Sequence, residues 1–462
     1  MFRNTRHVHL VAIGGIGMSG IAEILLNLGF KVSGSDLYAG EATDRLDRLG
    51  ATVFFGHAAE QIEGADVIVY SSAVTDANPE LQAARRLGIP VIRRAEMLAE
   101  LMRLKYGIAV AGSHGKTTTT SLCAAVLEAG SLDPTVVVGG RALATGANAV
   151  LGRGEYMVVE ADESDGTFLQ LVPTIAVVTN LDLEHVDFYP DLPALRDAFR
   201  QFLARVPFYG ACVLCSDDHE VRALASSLDR KVITYGLGSE ADVRGEALDP
   251  SGRRALVRVH GREVGELELG MPGLHNLSNA LAAVAVGMEL GVPFGVASEA
   301  LASFAGIGRR FEEHGEHGGV RLVDDYGHHP TEVAATLTLA RAQGRRVVVL
   351  FQPHRYSRTE RFSEEFADVF TTADAVGLLP IYAAGEIPSP GVDSGLIADG
   401  LERRGRDATV LLESFDDVPS FLQEHVRDGD LLLTLGAGSI GRLVPALKNW
   451  LKGERETWDA AL

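Results

Sequence analysis

Between the apolar run Ile108–Ala111 and a stretch of helical periodicity reaching about Ala129, the chain reads Gly112-Ser113-His114-Gly115-Lys116-Thr117-Thr118. Glycines at both ends of a four-residue turn, with a lysine and two threonines opening the helix, require a strand that turns sharply into a helix. Such a turn offers backbone amides and the positive end of a helix to an anion. Lys116 would reach the β- and γ-phosphates of a nucleotide, and the Thr117 hydroxyl can ligate Mg²⁺. Residue 110 is Val, so the spacing is G-x-x-G-K-T, a shortened form of the longer G-x-x-x-x-G-K-T loop. A chain organised around this turn is α/β, with ligands at the carboxyl ends of parallel strands.

The same alternation runs along the whole sequence. Val8–Ile13 reads as a strand, Met18–Leu28 as a helix and Lys31–Ser35 as a strand, with further strands at Val67–Tyr70 and around Pro90–Ile92. Ala95–Leu104 is amphipathic, and Lys105-Tyr106-Gly107 forms a joint. After the glycine turn come strands at Val136–Val138, Tyr156–Glu160 and Thr174–Val178. Asp242–Leu269 alternates over short distances with Gly and Pro turns, which predicts a small antiparallel sheet. Helical patterning resumes at Leu274–Leu290, Phe304–Gly308 forms a second joint, and the strand–helix rhythm restarts at Val320. The 462 residues, at roughly 150 per domain, agree with three α/β domains. These are an N-terminal Rossmann-like domain at 1–105, a central P-loop ATPase-like domain with a small antiparallel sheet at 106–307, and a C-terminal Rossmann-like domain at 308–462.

Several further segments carry chemistry. Gly15-Ile16-Gly17-Met18-Ser19-Gly20 matches G-x-G-x-x-G between a strand and a helix, with Asp36 ending the next strand. It presents amides to an anion, although the same glycines serve a plain tight turn, and NAD does not follow. A second match, Gly436–Gly441, reads better as packing. The strand Met157–Glu160 delivers Glu160, Asp162, Glu163 and Asp165 at its end, as a P-loop protein supplies a metal ligand, and Glu160 follows the strand most directly. His185 lies in Leu183–Asp187, after the strand end Thr179-Asn180; alone it reads as structural, beside the acids as a ligand. Cys212 and Cys215 stand i, i+3 on a strand, which points them to opposite faces and predicts buried core thiols rather than a C-x-x-C site. Arg309-Arg310 after the second joint, and His354-Arg355-Tyr356-Ser357-Arg358 after a strand end, suit carboxylates or phosphates. Asp324–Pro330 follows another strand end and also reads as a cap before a helix.

The balance of 42 basic against 62 acidic residues, net −20, disfavours long-range attraction to nucleic acid or anionic membranes. Three cysteines in this length point to a reducing compartment, and no run reaches the roughly 18 apolar residues of a membrane span. The expectation is a cytoplasmic monomer or weak homo-oligomer acting on small molecules.

Over its full length the chain resembles the Mur ligase family, through Gly14–Gly20, Gly112–Thr118, Glu160–Asp165, Leu274–Asn279, Gly308–Phe311, Asp324–Pro330 and Gln352–Thr359 in that order. The resemblance implies that ATP phosphorylates the lactyl carboxylate of UDP-N-acetylmuramate and that the amine of L-alanine attacks the acyl phosphate. It implies that Gly112–Thr118 cradle ATP and that Lys116 stabilises the migrating phosphoryl group. Thr117, Glu160 and His185 would hold Mg²⁺, and Asn276 and Asn279 would contact adenine. Arg310 would neutralise phosphate charge. His328, Arg355 and Arg358 would meet the amino acid, and Gly15, Ile16, Gly17, Met18, Ser19, Asp36 and Ser72 the UDP-sugar, with Arg94–Leu98 a weaker candidate. Ser113 stands where the family more often has Thr. No lysine occurs between Lys116 and Lys231, so the carbamylated lysine of the ligases that add later residues has no counterpart there. A ligase attaching a whole peptide to the same sugar is the close alternative, disfavoured by the Gly15–Gly20 loop; an NAD-dependent oxidoreductase would leave Gly112–Thr118 without a purpose.

Overall fold

A computed structural model describes residues 5–71, 73–138, 149–184, 188–406, 408–454 and 458, with the Ile16 side chain left out. The chain forms two compact units, residues 1–305 and 306–462. The first holds two sheets and the second holds one.

The first sheet is wholly parallel, in the order Thr52–Phe55, Lys31–Asp36, His7–Val11, Val67–Tyr70, Val91–Arg93. The order reverses between His7–Val11 and Val67–Tyr70, the switch point outside which a doubly wound sheet binds its ligand. Helix Ile16–Asn27 starts there with Gly15 as an N-cap that offers no side-chain acceptor, so its first amides remain available to an anion. Helix Pro79–Leu87 shows the opposite design. Asn78 Oδ1 accepts from the amides of Glu80 and Leu81, Pro79 occupies the first turn, and Gly88 closes the helix at φ 70°.

The second sheet has ten strands among the described residues. Its parallel centre runs Ala211–Cys215, Ile175–Val178, Tyr106–Ala111, Tyr156–Glu160. The predicted small antiparallel sheet is not separate. Lys231–Gly236 pairs in parallel with Val243–Ala247, which carries Arg254–Val259 and Arg262–Glu268 as antiparallel additions to the same sheet. Short-range alternation identified these strands but did not report that the first of them docks on an existing edge.

Alternate residues of the central strands feed two cores. Ala109, Ala111, Val159, Val178, Cys212 and Leu214 join a cluster that continues into Val8, Leu10, Met18 and Met102 of the first sheet's layer. Ile108, Val110, Val158, Val177, Val213 and Cys215 face the other way, against Leu122, Val126, Leu281 and Val284 from helices Lys116–Ala129 and Leu274–Glu289. The i, i+3 argument for the two cysteines is thus borne out: both are buried, in different cores.

The second unit's sheet runs Glu312–His317, Val320–Asp325, Leu431–Leu435, Val347–Phe351, Ala375–Leu378, Thr409–Leu411, parallel except for the first pair. Helices cover both faces, with Val333, Leu337, Phe366 and Phe370 on one side and Phe421, Leu443 and Leu447 on the other.

Candidate active site

The strand Tyr106–Ala111 ends at Gly112, where φ is 133° and a Cβ would overlap Thr179 Oγ1. Gly115 (φ 79°) then caps helix Lys116–Ala129, and a Cβ there would come within 2.8 Å of Asn279 Oδ1. Both glycines are therefore required by close approach as well as by backbone angle. The neighbouring strand end fixes the turn from outside. Ser113 N donates to Asn180 O (3.1 Å) and His114 N to Asn180 Oδ1 (2.8 Å); the Thr179 hydroxyl donates to His114 O (2.6 Å), and Ser113 Oγ bridges the Asp182 backbone. The amides of Ser113 and His114 are thus engaged by Asn180, while the first turn of the helix at 116–118 carries no side-chain cap.

Lys116 Nζ donates to Gly112 O (2.7 Å), Ser113 O (3.0 Å) and Glu163 Oε1 (3.0 Å). Burial pulls the ammonium's pKa down, but the charges of Glu163, Asp162, Glu160 and Glu184 more than reverse this, so Lys116 stays charged. Burial, reinforced by Asp162, pushes the Glu163 carboxyl up to about 7 against the pull of Lys116. The Thr117 hydroxyl donates to Glu160 Oε2 at 2.9 Å. Hydroxyl and carboxylate side by side at a phosphate loop are the hard oxygen donors that Mg²⁺ takes, so these residues fit that ion. Glu160 is the acid that follows its strand most directly in sequence. The role of Glu163 as the partner of Lys116 was hidden among four neighbouring acids. His185, expected as a further ligand, lies outside the described residues, as does Ser72.

Asn276 and Asn279 are both buried. Asn276 Nδ2 donates to Pro272 O (2.6 Å), which anchors its helix, while Asn279 lies against Gly115.

In the first sheet's loop Asp36 Oδ2 accepts from Gly14 N (2.8 Å), and a Cβ on Gly17 would come within 2.8 Å of Arg94 Nη1. Arg94 thus brings a cation to the uncapped helix start at Gly15. It also reaches toward the second sheet. Burial works against the Asp162 carboxylate, but Lys116, hydrogen bonds from Ser164 and then Arg94 outweigh it and hold its pKa low.

In the second unit the two adjacent arginines divide their work. Arg309, at φ 59°, donates from Nε to Asp324 Oδ2 (2.8 Å) and from Nη2 to Gly436 O (2.5 Å), which ties three strand ends together. Arg310 lies over the Tyr326 ring at 5.1 Å, with Nη1 3.8 Å from Glu332 Oε1. Phe311 N and Gly327 N donate to Asp325, whose carboxyl burial raises to about 6. His328 stands edge-on to His354 at 5.6 Å, and its Nδ1 is 3.2 Å from Glu332 Oε2. His354 stacks on Tyr382, with Arg358 Nη1 3.3 Å from its Nδ1. Arg355, at φ 70°, lies 3.9 Å from Glu386. The structure brings His328, His354, Arg355 and Arg358 to one sheet end, and adds Tyr382 and Glu386 there. The glycines of Gly436–Gly441 serve packing: a Cβ on Gly436 would come within 2.5 Å of Gln352 O, and on Gly441 within 2.7 Å of the Arg309 guanidinium.

Family models of the Mur ligases match the chain in three successive parts: the family's catalytic domain at residues 7–106, its middle domain at 110–287 and its glutamate ligase domain at 309–438. The chain belongs to the Mur ligase family. Among curated relatives, a UDP-N-acetylmuramate–L-alanine ligase of Desulfosudis oleivorans is 53% identical over 96% of this chain and 98% of its own length. One from a Geobacter species is 50% identical over 99% and 100%. Among solved structures, the UDP-N-acetylmuramate–alanine ligase of Thermotoga maritima superposes with a TM-score of 0.80 at 29% identity, covering 98% of this chain and 99% of that one. A murein peptide ligase of Psychrobacter arcticus shares the fold, with a TM-score of 0.72 at 24% identity over 97% and 99%. The three-domain α/β architecture read from the motifs, and the ATP-dependent, ADP-forming ligase class implied by the resemblance, are those of this family.

Proposed function

We propose that this Mur ligase joins L-alanine to the lactyl carboxylate of UDP-N-acetylmuramate at the expense of ATP, through an acyl phosphate, in the first peptide-adding step of peptidoglycan synthesis. The observation that carries the reading is identity above 50% along nearly the whole chain to relatives bearing that activity in their names. The P-loop geometry supplies its chemistry. The first-turn amides of helix Lys116–Ala129 receive the phosphates, and Lys116 leaves Glu163 to neutralise charge on the phosphoryl group in transfer. Thr117 and Glu160 would hold Mg²⁺, with His185 as a third ligand, and the ion would supply positive charge against the phosphates. Asn279, against Gly115, and Asn276, bonded to Pro272 O, would contact the adenine. Within residues 306–462, Arg310 would neutralise phosphate charge, while Arg355 and Arg358 would grip the alanine carboxylate beside His328. The glycine loop at 15–19, with Asp36, Ser72 and Arg94, would take the UDP-sugar.

Phosphate release from Mg·ATP with UDP-N-acetylmuramate, scanned over the twenty amino acids, tests this. Release strongest with L-alanine, above Gly and Ser, is expected. Release with a tripeptide but none with alanine would move the chain to the peptide-attaching ligases. Lys116→Ala should lower turnover by roughly three orders of magnitude with the fold intact.

A further inference from the structure

Beneath the loops of the first sheet lies a buried polar cluster that none of the assignments above uses. His7 and His9 alternate on the strand His7–Val11, and Ser33 and Ser35 on Lys31–Asp36, in the register His9↔Ser33 and Val11↔Ser35. All four therefore point to one face, which is covered by the turn Ala59–Ile62 and the helix Pro79–Leu87. Glu80, fully buried, enters this layer from the helix. Its Oε2 accepts from Ser35 Oγ (2.7 Å) and lies 3.5 Å from His9 Nε2, an atom with no other hydrogen-bond partner among the described residues. His57 Nδ1 is 3.5 Å from Glu80 Oε1 and 3.0 Å from Ser35 Oγ. Gln61, in the amide orientation that satisfies its surroundings, donates to both Gly56 O and the Glu80 carboxylate. A second branch runs from His9 Nδ1 to Ser33 Oγ (2.8 Å), on to His7 Nε2 (2.7 Å), and from His7 Nδ1 to Gly64 O (2.9 Å).

A carboxylate buried among imidazoles is poor value for stability, since an apolar filling of the same volume does as well or better. What it does is join loops. Ser35 precedes Asp36, whose carboxylate holds the amides of Gly14 (2.8 Å) and Tyr38 (3.4 Å). His57 follows Gly56, whose amide donates to Asp36 O (2.8 Å) beyond the third strand. Glu80 lies two residues past Asn78, the cap that ends the loop after Val67–Tyr70. From the helix after Val67–Tyr70, the Glu80 carboxylate thus touches the strands His7–Val11 and Lys31–Asp36 and the segment after Thr52–Phe55, and the neighbouring Asp36 holds the segment after His7–Val11, at the end of the sheet where such folds bind their ligand.

We propose that Glu80, through Ser35, is a positioning residue for the nucleotide-sugar site. The network fixes Asp36, and with it the Gly14–Gly20 loop, in the geometry that receives the diphosphate. The proposal rests on reading that loop as the UDP-sugar site. Ser33, equally buried but on the branch leading away from Asp36, supplies the control.

Calorimetric binding of UDP-N-acetylmuramate to the wild-type protein without ATP tests the reading itself, and no binding there would remove the reading whatever the variants do. Given binding, Ser35→Ala should raise KM for the nucleotide sugar by about 10-fold or more, leaving KM for ATP and kcat within about 2-fold. Glu80→Gln should move the same parameter in the same direction. Ser33→Ala should lower the melting temperature as much as Ser35→Ala does and leave that KM in place. An unchanged KM in Ser35→Ala and Glu80→Gln, or an equal rise in Ser33→Ala, would overturn the proposal. So would loss of the fold in both test variants while Ser33→Ala folds, because the cluster would then serve stability alone.

Discussion

Lys116 and His354 are opposite solutions to a buried base. Lys116 keeps its proton because four carboxylates surround it. His354 gives its proton up, because burial first, then His328, Arg358 and Arg355, lower its pKa to about 3. A folded-state pKa below the unfolded value of about 6.5 contributes stability that is present above pH 6.5 and lost as pH falls toward 3. The loss is at most about 1.4 kcal/mol per pH unit, because only one proton is involved. Asp325 works the other way. Its carboxyl is raised by burial to about 6, so its contribution is full below the unfolded value of about 3.9 and fades as pH rises through 6. The two slopes oppose each other between pH 4 and 6. His354→Gln should unmask the Asp325 slope, making the variant gain on the wild type as pH falls from 6.5 to 4.5; parallel denaturation curves at each pH would show otherwise. The residues that sequence revealed best are those whose chemistry is local. Lys116 and Thr117 open a helix next to the end of the strand that carries Glu160, so spacing and strand order suffice. That Arg309 serves the backbone while Arg310 does not is illegible in the sequence, because its partner Gly436 lies 127 residues away, brought close only by the order of strands in the sheet.

At the level of elements, glycines fix where one strand end lies against the next. Gly436 combines φ 139° with a would-be Cβ 2.5 Å from the Gln352 carbonyl, a backbone atom that cannot turn aside. Gly436→Ala should destabilise the second unit by about 2–3 kcal/mol, measurable as a lower denaturation midpoint with an unchanged m-value. Gly17→Ala meets only the flexible Arg94 side chain and no backbone, so it should leave stability nearly unchanged while weakening UDP-N-acetylmuramate binding in calorimetry. Many strands and helices were legible from periodicity, but Thr52–Phe55, Lys231–Gly236 and Glu312–His317 were not. Nor was the partner of a strand. Val243–Ala247 pairs in parallel with Lys231–Gly236 through only Tyr235↔Val243 and Gly236↔Arg244. No periodic pattern records so short a join, and the following hairpin therefore reads as a sheet of its own.

For the molecule as a whole, each compact unit owns apolar cores. Residues 306–462 expressed alone should melt cooperatively, with two apolar cores around one sheet. Mg·ATP at about 100 times its Kd should add roughly 2.7 kcal/mol to the unit that contains Gly112–Thr118, raising that calorimetric transition, and EDTA should reverse the gain. The central sheet's two faces have a consequence for watching this molecule unfold. Its three thiols are divided between them, Cys212 in the core continuous with the first sheet's layer, Cys123 and Cys215 in the core beneath the helices. Burial pushes Cys123 and Cys212 up to about 12, so each is inert until its own layer opens. Alkylation followed by peptide mass mapping thus gives an internal clock for each side of the sheet, with no engineered label, and the order in which Cys212 and Cys215 react reports which layer parts first.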